Sequence, residues 1–174
     1  KPDLILWYGW SWLVDNIFVD EYTSIMLHPS PLPKYRGGSP IQNQIINGEK
    51  NSAVTLFKMT RNLDDGDIYK QIPFSLKGSL DDIFNRIIKL GYKATLEIIN
   101  NNYNLKKQIN SEATYYKRLH PSNSEITMEE IKNSSAEYLY NKIRMLNDPY
   151  PNAYLKTSDN KKLYLIQSRL DDEK

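Results

Sequence analysis

Apolar residues in the first part of the chain fall into short runs separated by polar stretches. Residues 4–8 form a continuous apolar run, which is typical of a strand buried on both faces. Residues 23–27 form a second run, and it ends at His28. About one helix's length of sequence separates the two runs. The pattern therefore predicts a βαβ unit in a parallel sheet.

The next sixty or so residues predict two more strands and two helices. Pro40 suits the first turn of a helix that Ser39 would cap. Strands are predicted over residues 52–59 and 68–76, on either side of a turn that contains glycine. Residues 79–82 resemble a capping box, with Asp82 in the place of Glu or Gln, and predict the start of a longer helix. Its apolar residues recur at helical spacing: Leu80, Ile83, Phe84, Ile87, Ala94 and Ile98.

The pattern changes beyond about residue 110. Residues 114–116 are a short strand candidate, and Ser134 would cap another helix. Residues 153–156 and 163–166 predict a hairpin across a polar turn. We therefore predict an α/β domain over residues 1–110 and a small, mainly β domain over residues 111–174.

Composition restricts the functions that such a fold could carry. The 174 residues include 23 Lys+Arg and 21 Asp+Glu, so there is no strong basic field for nucleic acid. The absence of Cys excludes disulfides, thiol catalysis and Cys-ligated zinc, and two His are too few for a His-rich metal site. No apolar run approaches the roughly 18 residues that span a bilayer. We expect a cytoplasmic protein with no metal and no membrane segment.

The candidate chemistry lies in and after a loop that begins at His28. Residues 28–40 contain four prolines and two adjacent glycines, a composition typical of a stiff functional loop. His28 follows a strand, at the edge where ligands bind in open α/β sheets. Asp64 lies 36 residues later in a turn. An imidazole beside a carboxylate can perform acid–base chemistry, although spacing alone leaves open a local cap and a plain turn.

Two segments resemble the signatures of the 10-formyltetrahydrofolate-dependent formyltransferases. The first is residues 28–42 (HPSPLPKYRGGSPIQ) and the second is residues 63–68 (LDDGDI), and the interval between them needs no gap. Residues 2–5 are similar to the family's strand before the folate pocket, and residues 143–154 to its entry into a C-terminal OB-like domain. The resemblance implies a Rossmann-like parallel sheet followed by an OB-like domain.

The resemblance also implies an activity, namely formyl transfer from 10-formyltetrahydrofolate to a primary amine. His28 would be the catalytic histidine, and Asp64 the aspartate that tunes it and moves protons through water. An unprotonated amine would attack the formyl carbon, an oxyanion would form, and N10 of the folate would leave. Two segments would line the pterin site: Trp12, Leu13 and Val14, and Thr60, Arg61, Asn62, Leu63 and Asp64. Plain core and turn packing is the alternative for each of these side chains.

Ser30 and Arg36 are the candidate substrate-binding residues within the first motif. Arg36 would either anchor the loop through backbone carbonyls or meet a phosphate with its planar guanidinium. Ser30 would either cap the loop or contact the acceptor.

The chain departs from the family pattern in two places. Met26 stands where the family has an Asn whose amide helps to hold the oxyanion, and a thioether cannot donate a hydrogen bond. Losing one such donor costs about 10²–10³ in rate, unless Asn43 or a backbone N–H replaces it. The family also has a βαβαβ segment, of roughly 60 residues or more, upstream of Pro2. We expect poor stability or oligomerisation through the exposed sheet flank.

Three functions agree with these features. The first is N-formylation of an amino-deoxy sugar nucleotide, favoured by a short and barely basic C-terminal part. A tRNA partner is disfavoured because it needs clustered Lys and Arg to contact phosphates. The second is methionyl-tRNA formyltransferase, which shares both motifs. The third is an inactive folate- or nucleotide-binding remnant, suggested by Met26 and the missing upstream segment.

Overall fold

The computed structural model describes residues 1–100 and 104–171. In chain order its elements are β1 (Leu4–Trp7), α1 (Ile17–Asp20), β2 (Thr23–His28), β3 (Arg36–Gly37), α2 (Pro40–Ile46), β4 (Asn51–Lys58), β5 (Ile68–Ser75), α3 (Leu80–Asn100), β6 (Tyr115–Tyr116), α4 (Met128–Asn133), α5 (Ala136–Met145), β7 (Ala153–Lys156) and β8 (Lys162–Leu165). In the described ranges no helix is long and apolar enough to cross a membrane.

A four-stranded sheet in the order β1-β2-β4-β5 forms the centre of the fold. Strands β1 and β2 are parallel, as predicted, but β4 is antiparallel to both β2 and β5. The prediction of a parallel sheet is therefore wrong for its second half. A short turn joins β4 to β5, and a short connection can join only antiparallel neighbours. The predicted helix between β1 and β2 is a single turn, α1.

Helix α3 covers the sheet with one apolar face. Its buried residues recur at helical spacing and include Ile83 and Ala94. The predicted capping box at its start is confirmed: the Ser79 N–H donates to Asp82 Oδ2 at 2.9 Å, and the Asp82 N–H donates to Ser79 Oγ at 3.2 Å. The helix is therefore fixed at its N-terminus and along its length, directly behind the strands that carry the site.

Helix α2 begins at Pro40 as predicted, but Ser39 does not cap it. Ser39 has a left-handed backbone with a φ of 48°, and its hydroxyl makes no cap hydrogen bond. Its Oγ instead accepts a hydrogen bond from the Leu119 N–H at 3.0 Å. The hydroxyl thus connects the first motif to the C-terminal part of the chain.

One hydrophobic cluster joins the two predicted domains. Residues from α2, β4 and α3 pack together with residues from the C-terminal part, and the buried members include Ile41, Val54, Ile83, Ile143 and Met145. The two regions therefore share a core across residue 110, and their division at that residue stays a prediction.

The C-terminal part contains more helix than strand, so the prediction of a mainly β region is wrong. Helices α4 and α5 have 6 and 10 residues, whereas β6, β7 and β8 have 2, 4 and 4. The predicted hairpin is confirmed, since β7 and β8 pair antiparallel. Helix α5 is capped by Ser135, whose Oγ accepts the Tyr138 N–H at 3.1 Å, one residue later than the predicted Ser134.

Candidate active site

His28 is the last residue of β2, and only 5% of its surface is exposed. Its Nε2 lies 2.8 Å from the carbonyl oxygen of Tyr35. Because a carbonyl only accepts hydrogen bonds, Nε2 must carry a proton and donate. This bond sets the tautomer of the neutral ring, and it leaves Nδ1 with a free lone pair.

Asp64 lies on the side of the ring that carries this lone pair. Its Oδ2 is 3.7 Å from His28 Nδ1, and both side chains are buried. This distance is longer than a direct hydrogen bond, so Nδ1 of the neutral imidazole makes no hydrogen bond to Asp64. A proton taken up at Nδ1 would come to lie beside a carboxylate, which stabilises the imidazolium. The arrangement is suited to a general base.

Gly37, one of the two adjacent glycines of the first motif, lets the two motifs approach each other. The Gly37 N–H donates to Asp64 Oδ2 at 2.8 Å. Gly37 has a φ of +96°, and a Cβ at this position would lie 2.4 Å from the carbonyl oxygen of Tyr116. Only glycine fits this backbone and this contact. The loop, the Asp64 turn and β6 therefore meet at Gly37.

The glycine of the second motif has a similar role. A Cβ on Gly66 would lie 1.7 Å from the carbonyl oxygen of Lys58, at the end of β4. Asp64 itself has a left-handed φ of 51°. The turn can therefore fold back tightly on β4, and this brings the Asp64 carboxylate to the end of β2.

Arg36 anchors the loop, but through different partners from those predicted. Its guanidinium is buried, and it donates to the side-chain oxygens of Gln108, Asn110 and Tyr115 at distances from 2.7 to 3.2 Å. The backbone carbonyls that we predicted as its acceptors are not among these partners. The Tyr115 ring also lies 5.5 Å from the guanidinium carbon. Arg36 thus binds the first motif to the segment that follows α3.

Ser30 has an internal partner as well. Its hydroxyl is buried and donates to the carbonyl oxygen of Lys34 at 2.8 Å. Of the two alternatives predicted for Ser30 and Arg36, these contacts favour holding the loop. A substrate contact for either residue stays a prediction.

The first predicted folate segment is strongly exposed. Trp12 is 72% exposed and Leu13 is 92% exposed, while Val14 is half-buried. The guanidinium of Arg118 lies 5.8 Å from the Trp12 ring and donates to the carbonyl oxygen of Ser11 at 3.1 Å. An apolar and aromatic surface is therefore held in place by a residue of the C-terminal part.

Polar contacts hold the second predicted folate segment. Arg61 forms a bidentate pair with Asp20 of α1, at 2.7 and 3.0 Å, and this pairing lowers the pKa of the Asp20 carboxyl. Asp65 accepts hydrogen bonds from Thr60 and from Asn62. Leu63 is 49% exposed. The turn that carries Asp64 is thus fixed on both sides.

Met26 packs as an apolar side chain. It is half-buried against the cluster of Leu32, Phe57 and Ile68. Asn43, which we considered as a replacement donor for the oxyanion, directs its amide nitrogen to the carbonyl oxygens of Gly38 and Lys117, at 2.9 and 3.5 Å. A backbone N–H remains the available alternative.

A groove of about 470 Å³ lies in the C-terminal part, away from this constellation. Its walls are formed by Pro121, Asp148, Pro149, Tyr150, Pro151, Asn152, Tyr154, Lys162 and Tyr164. None of the predicted site residues belongs to this lining. Within residues 1–100 and 104–171, no group of three or more His, Asp or Glu side chains is arranged to hold a metal ion.

Residues 108–116 contribute a part of the site that the sequence motifs do not include. Strand β6 pairs with β3, the Tyr35 N–H donates to Thr114 Oγ1 at 2.8 Å, and the Tyr35 and Tyr116 rings stack at 4.7 Å. Burial raises the pKa of Tyr35 to about 12. The apolar pattern does indicate a short strand over residues 114–116, but it does not identify the strand with which this one pairs.

The fold and the site together define an α/β protein with a histidine–aspartate pair at a strand end, supported by two glycine-containing motifs. Residues 1–99 match the family model described as formyl transferase. This match covers more than half of the chain, so the chain belongs to the formyl transferase family.

Two relatives illustrate the breadth of this similarity. The bifunctional polymyxin resistance protein ArnA of Wigglesworthia glossinidia brevipalpis is 33% identical over 183 residues, which cover 99% of this chain and 27% of that protein. The methionyl-tRNA formyltransferase of Pseudothermotoga lettingae is 33% identical over 149 residues, covering 82% of this chain and 48% of that protein. The chain thus spans about half or less of the length of these relatives.

Solved structures agree with the family assignment. The methionyl-tRNA formyltransferase from Clostridium thermocellum aligns with a TM-score of 0.82 at 33% identity, covering 90% of this chain and 68% of that one. A sugar N-formyltransferase from a Shewanella species aligns with a TM-score of 0.78 at 20% identity, covering 99% and 71%. HypX from Aquifex aeolicus, in complex with tetrahydrofolic acid, aligns with a TM-score of 0.74 at 18% identity, covering 92% and 28%. The last two show similarity of fold.

Proposed function

We propose that this chain transfers a formyl group from 10-formyltetrahydrofolate to a primary amine, with His28 and Asp64 as its acid–base pair. The observation that carries the proposal is the geometry of His28. Its Nε2 is fixed by the Tyr35 carbonyl oxygen, and its Nδ1 lies 3.7 Å from the Asp64 carboxylate. Both residues lie within the motifs that resemble those of the family.

The reaction balances with these two groups. The lone pair of a neutral amine attacks the formyl carbon and forms a C–N bond, and negative charge develops on the formyl oxygen. His28 Nδ1 takes a proton from the attacking nitrogen, and Asp64 stabilises the resulting imidazolium. The oxyanion then collapses, the bond from the formyl carbon to N10 breaks, and the proton held on His28 Nδ1 passes to N10, which returns the imidazole to its neutral form. The products are a formamide and tetrahydrofolate.

We assign the pterin surface to the two segments that contain Trp12 to Val14 and Thr60 to Asp64. Exposed apolar groups that are contiguous and rigidly held are typical of binding surfaces. Trp12 and Leu13 are largely exposed, and Arg118 lies over the Trp12 ring. The HypX structure that contains tetrahydrofolic acid supports a folate ligand for this fold.

We propose an amino-deoxy sugar nucleotide as the acceptor. The lysines and arginines of a tRNA-binding surface have to be free to contact the phosphates of the RNA. In the C-terminal part, several lysines instead pair with carboxylates, including Lys142 with Glu130 and Lys156 with Glu125, both at 2.7 Å. The sugar N-formyltransferase of similar fold supports the same acceptor class.

Methionyl-tRNA is the second candidate acceptor. The observation in its favour is that the relative from Pseudothermotoga lettingae and the solved structure from Clostridium thermocellum, both 33% identical, are methionyl-tRNA formyltransferases. The hairpin of β7 and β8 would then begin the OB-like domain that the sequence motif at residues 143–154 implies.

An inactive folate-binding remnant is the third candidate. The features in its favour are Met26 at the position of the family's Asn and the engagement of the Asn43 amide by two carbonyl oxygens. This candidate predicts folate binding without formyl transfer.

One experiment separates the three candidates. The purified full chain is offered 10-formyltetrahydrofolate with a panel of amino-deoxy sugar nucleotides and, in parallel, with charged initiator tRNA. Formamide formation is followed by mass spectrometry, and His28→Gln is the control. We expect turnover of a sugar nucleotide. Turnover of the tRNA alone would contradict the sugar assignment. Calorimetric binding of a stable folate analogue without any transfer would support the remnant.

A further inference from the structure

Gln108 lies outside both motifs, yet its side chain contacts both of them. It is half-buried on the segment that follows α3. Its Oε1 accepts from Arg36 Nε at 3.2 Å and from Arg36 Nη2 at 2.8 Å. Its Nε2 donates to the carbonyl oxygen of Asp64 at 2.9 Å and to that of Gly66 at 2.7 Å. One amide group therefore makes four hydrogen bonds.

The chemistry of the partners fixes the orientation of this amide. A guanidinium only donates, and a backbone carbonyl only accepts, so the oxygen must face Arg36 and the nitrogen must face the turn. A carboxylate at this position would still pair with the guanidinium, but it could not donate to the two carbonyl oxygens. An amide is therefore the group that joins these two sides.

The two sides joined by Gln108 are the ones that set the catalytic geometry. On the loop side, Arg36 lies between Tyr35, whose carbonyl oxygen holds His28, and Gly37, whose N–H holds the Asp64 carboxylate. On the turn side, Gln108 holds the backbone of Asp64 itself. Asn110 and Tyr115 also hold Arg36, but their hydrogen bonds to it reach only the loop side.

We infer that Gln108 is a positioning residue of the formyl-transfer site, an inference that rests on the proposed function of His28 and Asp64. By binding Arg36 and the Asp64 turn at once, Gln108 holds the carboxylate at its distance from His28 Nδ1. The segment that leads into the C-terminal part thereby belongs to the active site, and the arrangement of His28 and Asp64 depends on it.

The kinetic test uses Gln108→Glu in the full chain, because this variant is nearly isosteric and keeps the partner of Arg36. We expect kcat to fall about 10- to 100-fold, since a misplacement of about 1 Å at a reacting group costs on that order. We expect the KM for 10-formyltetrahydrofolate to change less than about twofold. Asn110→Ala, which removes a contact to Arg36 only, should show a smaller fall in kcat, and the exposed Gln167→Ala should match the wild type.

A spectroscopic test is independent of turnover. The chain contains two histidines, so ¹⁵N resonances of the His28 ring can be assigned by comparison with His120→Gln. In the wild type, Nε2 should show the shift of a protonated nitrogen. In Gln108→Glu, the Nε2 signal should persist while the Nδ1 signal moves, because only the carboxylate side of the ring is disturbed.

Two results would overturn the inference. The first is a His28 ring spectrum in Gln108→Glu that is identical to that of the wild type. The second is a loss of cooperative folding in both Gln108→Glu and Gln108→Ala while Asn110→Ala folds, because this would assign Gln108 a purely structural role. If the wild type shows no turnover with any amine, the proposed function fails, and the ring spectra still decide the role of Gln108.

Discussion

The carbonyl oxygen of Tyr35 accepts a hydrogen bond from Nε2 of His28 at 2.8 Å. The backbone of the first motif thereby decides which nitrogen of the imidazole is free, and the free nitrogen is the one that faces Asp64. Pairing of β3 with β6 and the contacts of Arg36 hold this backbone in place. The chemistry proposed for His28 therefore depends on the loop as much as on the strand that carries the ring.

The Asp64 carboxylate should be required for turnover. Asp64→Asn keeps the size of the side chain and an oxygen that can accept the Gly37 N–H, but it removes the negative charge beside Nδ1. We expect kcat to fall about 10²-fold or more, the range associated with loss of acid–base assistance. Steady-state kinetics of formyl transfer measure this, with the exposed Asp81→Asn as the matched control. Wild-type kcat in Asp64→Asn would contradict the proposed role.

Gly37→Ala should destabilise the chain more than Gly48→Ala. Both glycines have a positive φ, but a Cβ on Gly37 meets the Tyr116 carbonyl oxygen at 2.4 Å, whereas a Cβ on Gly48 has nothing within 4 Å. The Gly48 variant measures the cost of the backbone conformation alone, on the order of 1–2 kcal/mol. Urea denaturation gives both free energies of unfolding. Equal losses of unfolding free energy in the two variants would show that β3 and β6 move apart around the added methyl group at no cost in stability.

Met26→Asn should remain active and should lose stability. The amide replaces a half-buried thioether that packs on Leu32, Phe57 and Ile68, and an unpaired amide costs at most about 1–3 kcal/mol there, the range for a fully buried group. The same amide offers the donor found at this position in the family, so we expect kcat to be equal to or above that of the wild type. Kinetics and urea denaturation test the two effects, with Met26→Leu as the apolar control. An inactive but folded Met26→Asn would show that Met26 has a packing role of its own.

Stability should fall at high pH through Tyr35. Its pKa is raised from 10.0 to about 12, chiefly by burial, while its hydroxyl donates to Glu49 at 2.9 Å. In the unfolded chain the phenol ionises near pH 10, so its stabilising contribution is complete below that pH and is lost as the pH rises toward 12. The free energy of unfolding of Tyr35→Phe should therefore fall less steeply than that of the wild type between these pH values. Parallel slopes would contradict this.

The edge strand β1 should promote self-association. It pairs only with β2 in the four-stranded sheet, and its Leu6 is 40% exposed. An open edge with apolar side chains is a template for pairing with another chain. Light scattering after size exclusion should show oligomers that Leu6→Lys reduces and that Ile88→Lys, at an exposed position on helix α3 rather than on a strand edge, does not. A cooperative monomer in the wild type would oppose the expectation of oligomerisation.

Much of the local structure follows from the sequence, because it depends on local spacing. The apolar runs locate β1, β2, β4 and β5, and the Ser79–Asp82 pair locates the start of α3. Strand direction does not follow from the apolar runs, and the prediction of a parallel second half of the sheet is wrong for this reason. The predicted cap at Ser39 is wrong because the Ser39 hydroxyl accepts a hydrogen bond from the backbone N–H of Leu119, a residue distant in the sequence.

The proximity of His28 and Asp64 follows from the resemblance of two motifs rather than from periodicity. The partners of Arg36 could not be predicted either from the resemblance of the motifs or from periodicity. Gln108 lies in a segment without an apolar pattern, and its importance appears only when β6 pairs with β3. A residue that acts through hydrogen bonds to backbone carbonyls leaves no signal of its own in a single sequence.

The pairing of β3 with β6 bears on the construction of hybrids between members of this family. A junction at residue 110 would combine the Arg36 loop of one parent with the strand and aromatic rings of another. Placing the exchange point beyond Leu119 would instead keep Thr114, Tyr115 and Tyr116 with the loop that they contact. Such a hybrid would exchange α4, α5, β7 and β8 and leave the pairing of β3 with β6 intact.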